Sequence, residues 1–190
     1  MKDISLIKNS FFNFVTLKID LEKLKYKTNS NQYKAYNSET LRKNDVQFYD
    51  INYFLSCLSE SIKILMLSYN QKYEYHIEIK QIWEHEYQEG DFQEDHVHFD
   101  MHFSYIIYYK GGSKTVFKNP IGYTLQAMYA DFDDYLGQYE YTPNLEEGNM
   151  IVFPSFVPHY VKKQLNAKTV VGDVRIKRLW LLEKSSIYIT

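Results

Sequence analysis

The sequence contains one cysteine, Cys57, among its 190 residues. A lone thiol cannot form an internal disulfide, so a disulfide-stapled fold is excluded, and a reducing, cytoplasmic location is expected. A basic excess is missing as well, because 22 lysine and arginine residues face 24 aspartate and glutamate residues, for a net charge of −2. Without surplus cations the chain has little means of neutralising phosphates, so we expect no nucleic-acid partner.

Long apolar runs are also missing. No stretch approaches the ~18 apolar residues of a membrane-spanning helix. Polar residues interrupt the N-terminal segment MKDISLIKNSFF, which therefore differs from a signal peptide. No linker rich in Gly, Ser or Pro divides the chain. We therefore expect an intracellular protein without a membrane span, folded as a single domain over residues 1–190.

Aromatic residues are abundant at 17%, with 19 Tyr and 12 Phe, and these residue types favour strands. From residue 72 to about 185, alternating segments such as YEYHIEIKQIW are separated by turn residues, which predicts an antiparallel sandwich or barrel. Residues 1–70 contain a candidate strand, FFNFVTLKI, and an amphipathic helix, NYFLSCLSESIKILMLSYN, capped by Asp50 or Asn52. The predicted fold class is mainly β with flanking helices (α+β), the first 70 residues packing on the β-core.

Histidines cluster in the segment QEDHVHFDMHF. His96, His98 and Asp100 would share one face of an extended chain, and His159 follows a later strand and proline turn, EGNMIVFPSFVPHYV. Two of the first group and His159 could form a three-ligand metal site with open positions. Two imidazoles and a carboxylate suit ferrous iron, whereas three imidazoles suit iron, zinc or copper. His102, four residues beyond His98, is expected to support the site or to belong to the core.

The segment from Ile82 to Tyr109 resembles the iron(II)- and 2-oxoglutarate-dependent oxygenases, in particular small members of the kind found in phages. The resemblance continues through TVFKNP, EGNMIVFPSFVPHYV and DVRIKRLWLLE, and covers roughly residues 75–183. The residues that match the family pattern in the first segment are Trp83, Gly90, Asp91, Phe92, Gln93, His96, His98, Ser104, Tyr108 and Tyr109.

This resemblance implies a double-stranded β-helix (jelly-roll) core with Fe(II) and 2-oxoglutarate as cofactors. It implies that Arg175 pairs with the distal carboxylate of 2-oxoglutarate, with Ser104 and Tyr108 as further cofactor-binding residues. Arg178 competes for the role of Arg175, although strand alternation would place it on the opposite face. The separation of His159 from Arg175 is longer than the family usually shows, and we expect the extra residues, NAKTVVGD, in a hairpin loop.

The metal ligand set stays open between two frames. The family pattern is His-x-Asp, but the chain reads both His96-Val97-His98 and His98-Phe99-Asp100. Alignment with the family favours His96, His98 and His159, whereas ligand chemistry favours His98, Asp100 and His159.

The function that the resemblance implies is a dioxygenase that hydroxylates an unknown substrate, with a protein side chain as one candidate. Its small-molecule co-substrates would be 2-oxoglutarate and O₂. One alternative is a cupin-type metalloenzyme without 2-oxoglutarate, since Gly148, Pro154 and His159 match the second cupin motif. The other is a non-catalytic jelly-roll binding or structural protein. We expect the aromatic, acidic segment 122–144 to lie over the site.

Overall fold

The computed structural model describes residues 3–8, 12–28, 32–34, 41–71, 73–112, 114–128, 139–164, 166–179 and 188–189. Within these ranges the chain forms fifteen strands and two helices. They are, in chain order, β1 (Ile4–Lys8), β2 (Asn13–Lys18), β3 (Tyr26–Lys27), β4 (Gln32–Lys34), β5 (Leu41–Asn44), β6 (Gln47–Phe48), α1 (Ile51–Ser68), β7 (Tyr75–Tyr87), β8 (Gln93–His96), β9 (Phe103–Lys110), β10 (Thr115–Lys118), α2 (Gly122–Met128), β11 (Glu140–Tyr141), β12 (Asn149–Pro154), β13 (His159–Val161), β14 (Ala167–Arg178) and β15 (Tyr188–Ile189).

Strands β7 to β14 form two antiparallel sheets that face each other. The large sheet has the order β12-β9-β14-β7 at its centre, and the small sheet has the order β11-β10-β13-β8. Side chains from both sheets meet between them, as where Phe117 packs edge-on against Phe153 with ring centroids 4.8 Å apart. The chain crosses repeatedly from one sheet to the other, which is the double-stranded β-helix predicted from the sequence. The predicted fold class is confirmed.

The N-terminal part extends the large sheet and covers its outer face. Strand β2 adds to β12 at one edge, and β5 adds to β7 at the other. Helix α1 buries Leu58, Ile62 and Leu65 in a core shared with the outer face of the large sheet. Asp50 caps this helix, as predicted, by accepting a hydrogen bond of 2.9 Å from the backbone N–H of Tyr53. No helix in the described ranges is long and apolar enough to cross a membrane.

The predicted loop over residues 166–173 is wrong. Only Asn166, with a φ of 48°, belongs to the turn, and Ala167 already begins β14. The segment is rich in Val and Thr and pairs on both sides, with β7 and with β9, so it continues the sheet. Arg175 therefore lies well inside a strand, roughly 20 Å along it from Thr169.

The segment 122–144 begins with the short helix α2. Residues 129–138 lie outside the described residues, so its predicted position over the site stays a prediction.

Candidate metal centre

Strand pairing brings three distant histidines together. His96 ends β8 and lies directly opposite His159, which begins β13, with ring centroids 4.3 Å apart. His98 follows in the loop after β8 and stacks on His159 at 5.2 Å. One ligand nitrogen from each ring can be chosen so that all three lie within 4.8 Å of one another. This three-histidine group could hold a metal ion.

The loop that carries His98 is fixed by backbone hydrogen bonds to two strand ends. The N–H of His98 donates to the carbonyl of Ser155 at 3.1 Å, and the N–H of Ser155 donates to the carbonyl of His102 at 3.1 Å. The N–H of His102 in turn donates to Val174 of β14 at 2.9 Å. The ring Nδ1 of His102 accepts from the backbone N–H of Ile176 at 3.0 Å, so this residue supports the loop and stands outside the three-histidine group.

Each of the three rings is oriented by a hydrogen bond at Nδ1. His96 Nδ1 bonds the carbonyl of Glu94 at 2.7 Å, and His159 Nδ1 bonds the carbonyl of Val157 at 3.0 Å. His98 Nδ1 bonds the carboxylate of Asp173 at 2.6 Å. All three partners only accept, so Nδ1 carries the proton and Nε2 presents its lone pair.

The open nitrogen of His98 is the clearest sign of a ligand site. Its Nε2 is buried and has no hydrogen-bond partner among the described residues. A buried polar atom left unsatisfied costs free energy unless something binds it, and a metal ion would satisfy this one.

Burial favours the neutral form of His96 and His159 by lowering the pKa of each. It lowers the pKa of His159 well below its usual range, and the neighbouring His96 and His98 act in the same direction. Burial also lowers the pKa of His96, and His98 adds to the effect. Neutral imidazole is the form that binds metals, so the protonation state suits the geometry.

Asp100, the other candidate ligand, is not brought into the three-histidine group. Its side chain is 83% exposed and forms an ion pair with the guanidinium of Arg175. Arg175 also donates from Nη2 and Nε to the backbone carbonyl of Asp100, at 3.0 and 3.2 Å. The structure thus pairs two predicted site residues with each other, at the surface.

Of the remaining predicted site residues, Ser104 and Tyr108 are buried, whereas Arg178 is exposed. Ser104 is fully buried and donates to Asp173 at 2.8 Å, while its hydroxyl also contacts that of Ser155 at 2.7 Å. It therefore supports the carboxylate that holds His98. The buried Tyr108 hydroxyl hydrogen-bonds Thr115 at 3.1 Å. The guanidinium of Arg178 lies over the ring of Tyr73, 4.9 Å from its centroid.

A narrow cavity opens beside the three histidines, between the two sheets. Trp83 forms one wall and stacks on His98, with ring centroids 5.8 Å apart. No Asp, Glu, Lys or Arg lines it in the described part of the chain. The residues that line it are Trp83, His85, Tyr87, Gln93, His96, His98, Ile106, Thr115, His159, Val161, Gln164, Thr169 and Val171.

An uncharged hydrogen-bond network runs along this cavity. The indole N–H of Trp83 donates to His85 Nε2 at 2.8 Å, and the amide of Gln93 reaches the same nitrogen at 3.0 Å. The hydroxyl of Tyr87 donates to the carbonyl oxygen of the Gln93 amide at 2.9 Å. Burial lowers the pKa of His85 to about 3, and Arg42 and the histidines add to the effect, so His85 is neutral near pH 7.

Part of this wall was not predicted from the sequence. Neither the histidine cluster nor the family pattern pointed to His85, and Thr169 belongs to the segment that was expected to be a loop. An alternating pattern could have shown Trp83, His85 and Tyr87 sharing one face, but only within the second half of β7.

Comparisons with protein-family models and with curated proteins give no match. Among solved structures, a prolyl-4-hydroxylase from Pseudomonas putida matches with a TM-score of 0.51 and 14% identity, over 76% of this chain and 77% of that chain. HygX from Streptomyces hygroscopicus, with nickel, 2-oxoglutarate and hygromycin B bound, matches with a TM-score of 0.51 and 7% identity, over 87% of this chain and 82% of that chain. The comparisons lend no support to the phage-type part of the resemblance. This chain therefore shares its fold with a prolyl-4-hydroxylase and with a 2-oxoglutarate-binding protein.

Proposed function

We propose that this protein is an iron(II)-dependent oxygenase that binds its metal through His96, His98 and His159. The convergence of these rings carries the proposal, because each Nδ1 is held by an acceptor while Nε2 stays available. Three ligands on one side leave the remaining positions of an iron ion open to a co-substrate and O₂. The shared fold supports iron over zinc or copper.

The reaction class is hydroxylation driven by a 2-oxo acid. Bound iron would supply the activation of O₂, and the protein supplies orientation and exclusion of side reactions. In the balanced reaction, a 2-oxo acid, O₂ and a C–H bond give CO₂, the acid shortened by one carbon, and C–OH. One oxygen atom enters the alcohol and the other enters the new carboxylate.

The residues around the metal site have separable roles in this reaction. Asp173 fixes the ring of His98 in the orientation that leaves Nε2 free. Trp83 covers one face of His98 and keeps water from that side. The apolar side chains of Ile106 and Val171 line the cavity together with Trp83. This apolar lining favours a co-substrate that has lost its hydration shell.

Iron fits this site, but 2-oxoglutarate does not fit the cavity fully. The second carboxylate of 2-oxoglutarate would meet no cationic side chain among the described residues that line the cavity, because Arg175 pairs with Asp100 and does not line it. The same observation favours a second candidate function, a cupin-type metalloenzyme that uses no 2-oxo acid.

Two measurements that need no knowledge of the primary substrate test the proposal. Anaerobic calorimetric titration with Fe(II) is expected to show one site in the wild type and none in His159→Ala. The iron-loaded wild type is then expected to consume O₂ when a 2-oxo acid is added. Saturation with iron without such O₂ uptake would favour the cupin-type function, and absence of iron binding would reject both.

A further inference from the structure

We infer that the cavity beside the three histidines takes a 2-oxo acid with an uncharged tail, so that the ligand carries one carboxylate and not two. The inference rests on the proposed function, because the carboxylate and keto group at the head of this ligand would face the metal. The free volume beside the rings is about 20 Å³, so the tail would lie along the wall formed by β7 and β14 only after side chains of that wall move apart.

That wall is built by a row of side chains across three neighbouring strands. Thr169 of β14 lies opposite Tyr108 of β9 on one side and His85 of β7 on the other. Thr169 is 3% exposed, lines the cavity, and its hydroxyl has no hydrogen-bond partner among the described residues. A buried hydroxyl that faces a cavity offers one donor and one acceptor to a ligand tail.

The two ends of the ligand would meet different charges in the cavity. At the head, a dication among neutral imidazoles favours an anionic group. At the tail, Tyr87, Gln93, Gln164 and Thr169 provide hydrogen bonds without charge. A second carboxylate placed there would lose its hydration without gaining a cation from the described residues that line the cavity, which disfavours its binding.

Two cationic side chains on the strands around the cavity do not line it, although one of them, Arg42, lies directly opposite the lining residue His85. The guanidinium of Arg42 on β5 lies over the ring of Trp83 at 4.2 Å from its centroid, and its Nε donates to Asn44 at 3.0 Å. Lys168 points to the other face of the sheet, where it lies 3.6 Å from Glu84. Neither lines the cavity.

Two ligands with the same carbon skeleton up to the distal carboxyl group test the inference on the wild-type protein. Fe(II)-loaded protein is titrated without O₂ with 2-oxoglutarate and with its 5-methyl ester, which keeps the head and removes the charge from the tail. Binding is read from calorimetry and from the visible charge-transfer band of the chelated keto acid. We expect the ester to bind at least about tenfold more tightly, a difference of about 1.4 kcal/mol.

A gain of charge tests the same point in the opposite direction. Thr169→Lys puts a cation at the unpartnered hydroxyl, and Thr169→Met adds similar length without charge. We expect the lysine variant to shift the preference toward 2-oxoglutarate by tenfold or more relative to the methionine variant. Thermal unfolding and Fe(II) binding of both variants confirm that the fold and the metal site are intact.

The outcomes separate this inference from the proposed function. Failure of the wild type to bind Fe(II) rejects the proposed function itself. If iron binds but 2-oxoglutarate binds as tightly as the ester, or if neither keto acid binds, the inference is overturned while the metal site stands. If tight 2-oxoglutarate binding disappears in Arg42→Met, then Arg42 is the carboxylate partner, and the inference is overturned.

Discussion

The carboxylate of Asp173 lies 2.6 Å from Nδ1 of His98, although 75 positions separate the two residues in the chain. Ser104, buried behind it, donates to the same carboxylate oxygen at 2.8 Å. Carboxylates in this position fix the tautomer and the ring orientation of a metal-binding histidine. Asp173 is thus a positioning residue for the metal centre.

Replacement of Asp173 is expected to weaken metal binding without removing it. Asp173→Asn keeps the shape but loses the charge that holds the Nδ1 proton of His98, so Fe(II) affinity should fall by about 10- to 100-fold. Anaerobic Fe(II) titration measures this, with thermal unfolding of the metal-free protein as a check of the fold. Ser104→Ala, one step further from the ring, should have a smaller effect. Unchanged iron affinity in Asp173→Asn would show that His98 is positioned by other contacts.

Arg175→Ala is expected to leave keto-acid binding unchanged. Arg175 contacts Asp100 outside the cavity, and exposed ion pairs of this kind contribute only about 0–1 kcal/mol to stability. A double-mutant cycle with Asp100→Ala measures that coupling by urea unfolding. A tenfold or larger loss of keto-acid affinity in Arg175→Ala would instead return Arg175 to the carboxylate-binding role implied by the resemblance.

Gly172→Ala is expected to destabilise the protein by about 1–3 kcal/mol through overpacking. A Cβ at this position would overlap both the hydroxyl and the ring Cζ of Tyr105, and would lie 2.7 Å from the carbonyl oxygen of Gln81. Equilibrium urea unfolding measures the loss. Tyr105→Phe removes the hydroxyl but keeps Cζ, so the double variant should recover only a small part of the stability, and the backbone contact also prevents full recovery. Equal stability of Gly172→Ala and wild type would contradict this packing.

The stability of the protein is expected to depend on pH through Glu84, on the outer face of β7. Burial alone would raise the pKa of Glu84, but hydrogen bonds from Tyr26 and Lys43 and the charge of Lys168 outweigh it, so the folded-state pKa is lower than usual. A depressed carboxyl pKa stabilises the folded state above the unfolded value, and this contribution disappears as pH falls through the folded value.

Glu84→Gln should therefore lower the free energy of unfolding near pH 7 by about 1–3 kcal/mol, because half-buried Lys43 loses its closer carboxylate partner and keeps only Glu86, at 3.4 Å. The gap between variant and wild type should narrow below about pH 4, as Glu84 itself becomes protonated. Urea unfolding across pH measures both effects. Glu22→Gln, in an exposed pair with Lys25, is the matched control and should change little. A difference in unfolding free energy between variant and wild type that does not change with pH would contradict the lowered pKa of Glu84.

Local signals in the sequence were sufficient for the fold and for the cluster of histidines. Alternation predicted the strands of the β-core, an Asp before an amphipathic stretch predicted the cap at Asp50, and the spacing of His96, His98 and His159 drew attention to them. Spacing alone could not decide whether His96 or Asp100 binds the metal beside His98, because each lies two residues from His98. The choice depends on where the loop after β8 turns, and long-range bonds to Ser155 and Val174 decide that.

The cavity wall could not be predicted because β7 changes face partway along. Its pairing with β14 shifts register at Lys80. Ile79 and Gln81 each lie opposite a residue of β14, whereas Lys80 between them lies opposite none. An extra residue in one strand reverses which side the following residues face. Ile77 and Ile79 therefore pack toward α1, whereas Trp83 and His85, also odd-numbered, face the cavity.

The contact of His98 with Asp173 has no local signal either, because it joins a loop to a strand far along the chain. Because residues 166–173 were expected to form a loop, the part of β14 that precedes Asp173 was not predicted. Arg175 was expected nearer the metal site for the same reason.

The three-histidine centre is best tested by anaerobic Fe(II) titration of His98→Ala and Asp100→Ala beside the wild type. We predict that His98→Ala loses the iron site, because one of three ligands is gone. Asp100→Ala is expected to keep wild-type affinity and stoichiometry, since Asp100 lies at the surface with Arg175. Loss of iron binding in Asp100→Ala with retention in His98→Ala would contradict the three-histidine centre.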